Sequence, residues 1–469
     1  MEVDRKMQIT IGSTLTITNP SRDLIEWCDQ NLKIKNPDYA KKVQMHFWLG
    51  DTPKYLYLYE VKGNAVVLPF GTLRDILPML EGATIKTDFG EALVEYNCKV
   101  PLYDYQEQAV EAVLSQHYGI LRSPAGSGKT QMGISLVERL GRRTLWLTHT
   151  KDLLNQSKAR AEQYMDKSLI GTITEGKVNI GSGVTFATIQ TMCRLDLGKY
   201  KHTWDVVIVD ECHRVAGSPT TVTQFSKVLN ALAARHKYGL SATVHRSDGM
   251  INATYALLGQ IIYTVPDEAV GDRIMKVGIN PIYTRVRLGR ECINTDGTLN
   301  YAKMITHLCN NNNRNQQIIS RLVLEAKHPS LILSDRLEHL ETLMSMLPVE
   351  MREQAVMISG KMASKRGKIE REQAIEEMRQ GDKKYLFATY GLAKEGLDIP
   401  RLERLYMVSP QKDYAVITQS IGRIARTREG KDDPICFDFV DDSLYLVKAF
   451  KKRCTTYRKN GCYFTEEGE

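Results

Sequence analysis

From Pro101 onward, short apolar runs recur at intervals that leave room for one helix between neighbours, and no other regularity restricts the fold as strongly. The first series is 119–121, 144–147, 184–187, 206–209 and 238–240, with helix-length stretches at 106–115, 151–164 and 222–234. A strand apolar at every residue is buried on both faces, which is what a parallel sheet flanked by helices demands. A second series follows at 330–333, 355–358, 385–388, 404–408 and 435–439, with helices expected at 315–326, 337–346, 369–380 and 414–424. Two tandem α/β halves, each a doubly wound parallel sheet, are predicted. A length of 469 residues agrees, since one ordinary core does not grow that large.

The first hundred residues read differently. Segments 8–12, 14–18, 55–61 and 65–68 alternate apolar and polar, the period of a half-buried strand, and 21–32 and 73–80 have the length of short helices. Residues 1–98 are therefore expected to form a small α+β domain. Its aromatics Phe47, Trp48, Tyr55, Tyr57 and Tyr59 either stack on bases or sit half-buried in a sheet. The first half of the tandem is placed at 99–270 and the second at 282–440. The Gly and Pro content of 271–281 marks a linker, and 441–469 a basic helix or tail carrying Lys448, Lys451, Lys452, Arg453, Arg458 and Lys459.

Net charge is +8, and residues 1–100 carry −1 of it, so the remainder holds +9. Such an excess favours polyanions or a merely solvated surface. No run approaches the ~18 apolar residues of a membrane span, and the start, Met1-Glu-Val-Asp-Arg-Lys, lacks a signal peptide's apolar stretch. The nine cysteines are scattered singly. Cys454 and Cys462 give two ligands at most, short of a tetrahedral zinc site. A cytoplasmic protein with reduced thiols is expected.

Between run 119–121 and the helix beginning near Lys129 lies Ser123-Pro124-Ala125-Gly126-Ser127-Gly128-Lys129-Thr130. Glycines at a strand-to-helix turn let backbone N–H groups point inward, and the helix N-terminus adds partial positive charge, so the turn cradles phosphates. Lys129 would reach the β- and γ-phosphates of ATP and the Thr130 hydroxyl would ligate Mg²⁺. Ser123 stands where the G-x-x-x-x-G-K-[ST] pattern has its first glycine. The acidic pair of Asp210-Glu211-Cys212-His213 follows run 206–209, at the strand end where open parallel sheets place ligands. Asp210 would hold Mg²⁺ through water, and Glu211 would orient or deprotonate the attacking water.

Asp210-Glu-Cys-His213 resembles the DExH box of superfamily 2 helicases, and further segments resemble that family's motifs in the same order. The resemblance implies two RecA-like domains. It implies that Gln106 reads adenine and Tyr103 stacks on it, with Pro124 to Thr130 around the phosphates and Gly396 and Asp398 towards the nucleotide. Thr148, Lys151, Thr188, Gln190 and Thr191 in the first half, and Ser334, Arg336, Gly360, Thr389 and Gly391 in the second, would grip a nucleic-acid backbone. His213, Ser241, Ala242 and Thr243 would couple ATP state to strand binding; Arg246, Asp248 and Gly249 resemble the extension of the phage and repair branch. Gln419-Ser-Ile-Gly-Arg423-Ile-Ala-Arg426 resembles the motif whose arginines reach the γ-phosphate, the two lying three apart on one helix face.

Asn36-Pro and Leu68-Pro-Phe-Gly71 resemble the front domain of UvsW-type phage recombination helicases. The resemblance thus implies an ATP- and Mg²⁺-dependent motor that works as a monomer on forked or junction DNA. Two other readings stay open: an RNA-dependent DExH enzyme, or an ATP-switched DNA clamp that does not translocate.

Overall fold

The structure is a computed structural model. It describes residues 6–124, 126–242, 250–271, 274–359, 365–393, 397 and 399–465, with backbone only at 267, 365, 366, 368 and 393. Ala125, Thr243, Arg246, Asp248, Gly249, Gly360, Gly396 and Asp398 lie outside them. Two compact units are present, Met1–Pro124 with Gly128–Ala269 and, separately, Val270–Glu469.

The first unit holds an eight-stranded sheet in the order Lys177–Asn179, Ile170–Thr174, Val184–Thr188, Thr144–Thr148, Val206–Asp210, His236–Ser241, Tyr118–Arg122, Ile261–Thr264. All pairs are parallel except the edge strand Lys177–Asn179. Thr144–Thr148, Val184–Thr188 and Val206–Asp210 are buried at every residue, as runs covered on both faces must be. The second unit repeats the plan with seven parallel strands, ordered Ala355–Ile358, Tyr385–Thr389, Ser330–Ser334, Arg404–Met407, Ile435–Val440, Gly278–Tyr283, Tyr463–Phe464.

One boundary differs from expectation. Gly278–Pro281, read as linker, opens the strand Gly278–Tyr283, paired residue for residue with Ile435–Val440. Gly and Pro looked like a turn, but here the neighbouring strand fixes the backbone. The basic segment from 441 is a helix, Leu444–Lys459, as one of the two expectations had it, and Tyr463–Phe464 then adds a strand beside Gly278–Ile279. Arg453 leaves the basic face altogether. It is buried, and its guanidinium forms a two-pronged pair with Asp438 at 2.8 and 2.9 Å.

The front module has a five-stranded sheet, Glu60–Lys62, Ala65–Pro69, Thr14–Thr18, Gln8–Ile11, Thr84–Thr87. The run 55–61 is not one strand: Tyr55–Tyr57 leaves the sheet to pair with Lys33–Lys35. Between those two strands the chain makes an arm around helix Pro37–Gln44, which buries no residue. Asn36 caps that helix, accepting from Asp38 N at 3.0 Å, and its amide donates to Pro53 O at 2.8 Å, closing the arm.

The module shares a core with the first large sheet. Ile9, Leu15, Ile17, Phe70 and Ile76 belong to one apolar cluster with Tyr118, Ala216, Val222, Met250, Ala253 and Ala256. At Gly71 a Cβ would run into Gly259 N and Tyr255 O, so the backbones meet where only glycine fits. Lys237 crosses the same junction. Fully buried, it donates to Ser13 O and Leu229 O, both at 2.8 Å, and its Nζ lies 4.9 Å from the Phe70 ring centre.

Burial lowers the Lys237 pKa to about 7. The unfolded chain holds that proton up to about pH 10.4, so between these values the unfolded state carries more protons and stability rises with pH. The cost of the buried charge is fully present below pH 7 and fades above it. Lys237→Met should lose this rise. The unfolding free energy of the parent relative to the variant should rise from pH 7 to 9.5, by at most about 1.4 kcal/mol per pH unit; a constant gap would contradict the buried-ammonium account.

Candidate nucleotide site and strand-end loops

Strand Tyr118–Arg122 runs into the glycine-rich turn, and helix Lys129–Leu140 leaves it. Gly126 and Gly128 have φ +84° and +81°, the left-handed region where a side chain is strained. A Cβ on Gly128 would also collide with Gln106 Nε2. Gln106, buried, accepts from Tyr103 N at 3.0 Å, so the segment ahead of the first helix is fixed against the turn. Tyr103 remains half exposed, stacked on Tyr105 at 6.2 Å between centroids.

Lys129 Nζ lies 3.5 Å from Ser123 O and 3.4 Å from Pro124 O, loosely folded over its own loop. Its charge acts on the acidic pair at the end of Val206–Asp210. Burial and the adjacent Glu211 push the Asp210 carboxyl up to about 6, against the pull of Lys129. Burial would also raise Glu211, but Lys129, His213 and Arg214 together hold it down at about 2. Asp210 is anchored on both oxygens: Oδ2 accepts from Ser157 Oγ at 3.0 Å and Oδ1 from Glu211 N at 2.9 Å. Ser157 had no signal in the sequence, being one polar residue within helix Lys151–Ala161.

Glu211 adopts φ +49°, a conformation that favours glycine and costs of order 1 kcal/mol or more in other residues. Its Oε2 is buried and accepts no hydrogen bond among the described residues, with His213 Nδ1 3.3 Å away. His213 Nδ1 is also 2.9 Å from Ser241 Oγ, linking the acidic strand end to the neighbouring one. Two adjacent carboxylates beside a phosphate-type turn suit a hard divalent cation. The Asp210 carboxylate and the Thr130 hydroxyl are the oxygen donors that would serve Mg²⁺, which leaves Glu211 for the attacking water.

The strand-end residues of this unit sit side by side. Thr148 and Thr188 are register partners on adjacent parallel strands. Their hydroxyls are committed within the fold: Thr148 Oγ1 donates to Thr150 O at 3.0 Å, and Thr188 Oγ1 to Thr191 Oγ1 at 3.0 Å. Lys151, paired with Glu175 at 2.8 Å, and Gln190 are partly exposed. Ala242 follows Ser241 at the end of its strand.

In the second unit Ser334 and Thr389 are likewise register partners at strand ends, with Arg336 and Gly391 exposed just beyond. Ser334 Oγ is held by His339 Nδ1 at 3.0 Å. Helix Tyr414–Ile424 carries Gln419 and Arg423, whose Nη1 donates to Leu397 O at 2.8 Å. Arg426 is not on that helix, contrary to its spacing. Past the helix end Lys431 Nζ donates to the carbonyls of Ile424 at 2.7 Å and Arg426 at 2.6 Å, and Arg426 bridges to Ile274.

Residues 99–246 match the family described as the type III restriction enzyme res subunit, and residues 313–428 the helicase conserved C-terminal domain. A probable helicase D10 of Escherichia phage T5 is 26% identical over 73% of this chain and 72% of its own length. The DNA 3'-5' translocase XPB2 of Sulfurisphaera tokodaii is 26% identical over 71% and 80%. Among solved structures, S. cerevisiae Dbp5 bound to RNA and ADP BeF3 covers 85% of this chain and 94% of its own, at 18% identity and TM-score 0.54, a likeness of fold. T4 UvsW aligns over 98% of both chains, but at TM-score 0.42 and 17% identity. Among the described residues no helix is long and apolar enough to cross a membrane. With both family matches in chain order on two tandem RecA-like sheets, the chain belongs to the superfamily 2 helicases and is a nucleic-acid-dependent ATPase.

Proposed function

We propose that this protein is an ATP-driven motor that unwinds or branch-migrates forked and junction DNA, working as a monomer in the cytoplasm. The observation that carries the ATPase chemistry is the adjacent Asp210 and Glu211 carboxylates at the strand end, under the charge of Lys129. In this reading the turn 124–130 binds the phosphates, Gln106 and Tyr103 the base, and Gly396 and Asp398 the nucleotide from the second half. Mg²⁺ on Thr130 and Asp210 supplies charge neutralisation. Glu211 orients the water, Gln419, Arg423 and Arg426 meet the γ-phosphate, and His213, Ser241, Ala242 and Thr243 relay the outcome. Thr148, Lys151, Thr188, Gln190, Thr191, Ser334, Arg336, Gly360, Thr389 and Gly391 line the backbone track.

The Sulfurisphaera relative is named a DNA translocase and a mimivirus relative of equal identity a putative RNA helicase, so relatives' names do not divide DNA from RNA and the substrate assay below does. Branched DNA is favoured by the arm of the front module. Trp48 is 88% exposed there, and Phe47 and Tyr57 are also exposed. Lys33 Nζ lies 5.1 and 5.7 Å from the Tyr55 and Tyr57 rings, and Lys54 Nζ 5.5 Å from Tyr55. Rings interleaved with ammonium groups suit unpaired bases beside a phosphate backbone.

ATPase activity should be stimulated most by four-way junctions and forks, less by linear DNA and least by RNA. Strongest activation by RNA would overturn the assignment. Trp48→Ala should weaken junction binding by about 1–3 kcal/mol, the worth of one stacked base, and leave linear duplex binding unchanged. Equal weakening on both would remove the arm from branch recognition. Point substitution is the right tool, because removing residues 1–98 would expose the core shared with Tyr118 and Ala253.

A further inference from the structure

The last helix, Leu444–Lys459, contains no acidic residue. At 100° per residue, Lys448, Lys451, Lys452, Thr455, Arg458 and Lys459 fall within an arc of about 120°. All six are exposed. The opposite face, Leu446, Phe450, Arg453, Thr456 and Tyr457, is buried. Position on the wheel thus explains why Arg453 pairs with Asp438 while the five other cations face out.

An exposed basic helix is ordinarily a solvated face diluted by carboxylates. Helix Lys365–Gln380 of the same unit is such a case, mixing Glu with Arg and pairing Arg379 with Glu376 at 3.2 Å. Among the described residues, none of the five outward cations of Leu444–Lys459 has an ion-pair partner. Like charges packed this closely repel one another, a cost that an external polyanion would offset.

Two features tie the stripe to the motor. The helix follows strand Ile435–Val440, so it begins at the sheet edge where Ser334 and Thr389 end their strands. At its far end Asn460 Nδ2 donates to Thr418 Oγ1 at 3.1 Å, bracing it on the helix that carries Gln419 and Arg423.

We propose that the stripe Lys448, Lys451, Lys452, Arg458 and Lys459 is a second nucleic-acid surface, one for the phosphate backbone of duplex DNA and separate from the strand-end track. It rests on the reading of the chain as a DNA motor. From Lys448 to Lys459 the helix advances about 16 Å, a length over which duplex DNA presents about ten phosphates. The attraction is one of charge along a line, so it is blind to base sequence and sensitive to salt.

The test uses the full chain and a fluorescent 30-base-pair duplex, with a single strand of equal length for comparison. Lys448→Gln, Lys451→Gln, Lys452→Gln and Lys459→Gln are combined, and melting temperature checks that the neutralised helix stays folded. Each phosphate that no longer meets a lysine should flatten the slope of log K against log salt by about 0.9 on duplex. The variant's slope should therefore fall by about two to four on duplex and by less than one on the single strand. A duplex slope equal to the parent's overturns the proposal while the motor reading stands. Equal flattening on both ligands places these lysines on the strand track and overturns it too. A parent that fails to bind duplex or single strand refutes both readings together. One refolding control remains: restoring Lys448 and Lys452 alone should recover about half of the missing slope, whereas an unfolded variant recovers none.

Discussion

Lys129→Ala should abolish steady-state ATP turnover, by at least about 10²–10³-fold, the loss seen when one preorganised charge is removed from a reacting centre. The structure adds why the substitution is clean. Among the described residues Nζ makes two long contacts, to Ser123 O and Pro124 O, which are weak props for the turn. What does depend on it is the charge state of the acidic pair, since Lys129 pulls both Asp210 and Glu211 down. Without that ammonium, two adjacent buried carboxyls compete for one proton, and Asp210 should rise further. Turnover with saturating DNA and the melting temperature should be measured together. Absent turnover with little change in melting is expected, and unimpaired hydrolysis would end the phosphate-loop assignment.

Arg423→Ala and Arg426→Ala should each leave ATP binding nearly intact and lower turnover by about 10³-fold or more, as loss of an arginine finger does. The two are held differently. Arg423 is tethered to Leu397 O from within a helix, whereas Arg426 follows the helix end under Lys431 and the Ile274 bridge. Lysine at either position keeps the charge but not the planar fork, so Arg→Lys should rescue little. Nucleotide binding by fluorescence and turnover by phosphate release distinguish the outcomes. Parallel loss of binding and turnover would take Arg426 out of catalysis.

The tandem sheets were legible because runs such as Val206–Asp210 are buried throughout, a pattern that a chain produces only where helices cover both faces. The glycine-rich turn was legible because glycine is needed at Gly126 and Gly128 for local reasons. Features built from distant residues were not. Ser157 reaches Asp210 across 53 positions, and Arg314 pairs with Asp441 across 127, its Nε at 2.7 Å in a fully buried site. Nothing local announces either. The two short echoes at the front of the chain have structural explanations besides the family likeness. Asn36-Pro caps a helix, and Phe70-Gly71 seats the module against Tyr118 and Gly259. Arg426 shows the limit of spacing arguments, since the helix stops at Ile424.

Because glycine meets backbone at Gly71 and an ammonium plugs the seam at Lys237, the sheet of the front module has no joint of its own against the first large sheet. On the proposed reading, whatever the module held would travel with the first large sheet. Grafting this front piece onto another motor would consequently demand transplanting its seat, Tyr118, Lys237 and Tyr255 to Gly259, along with it.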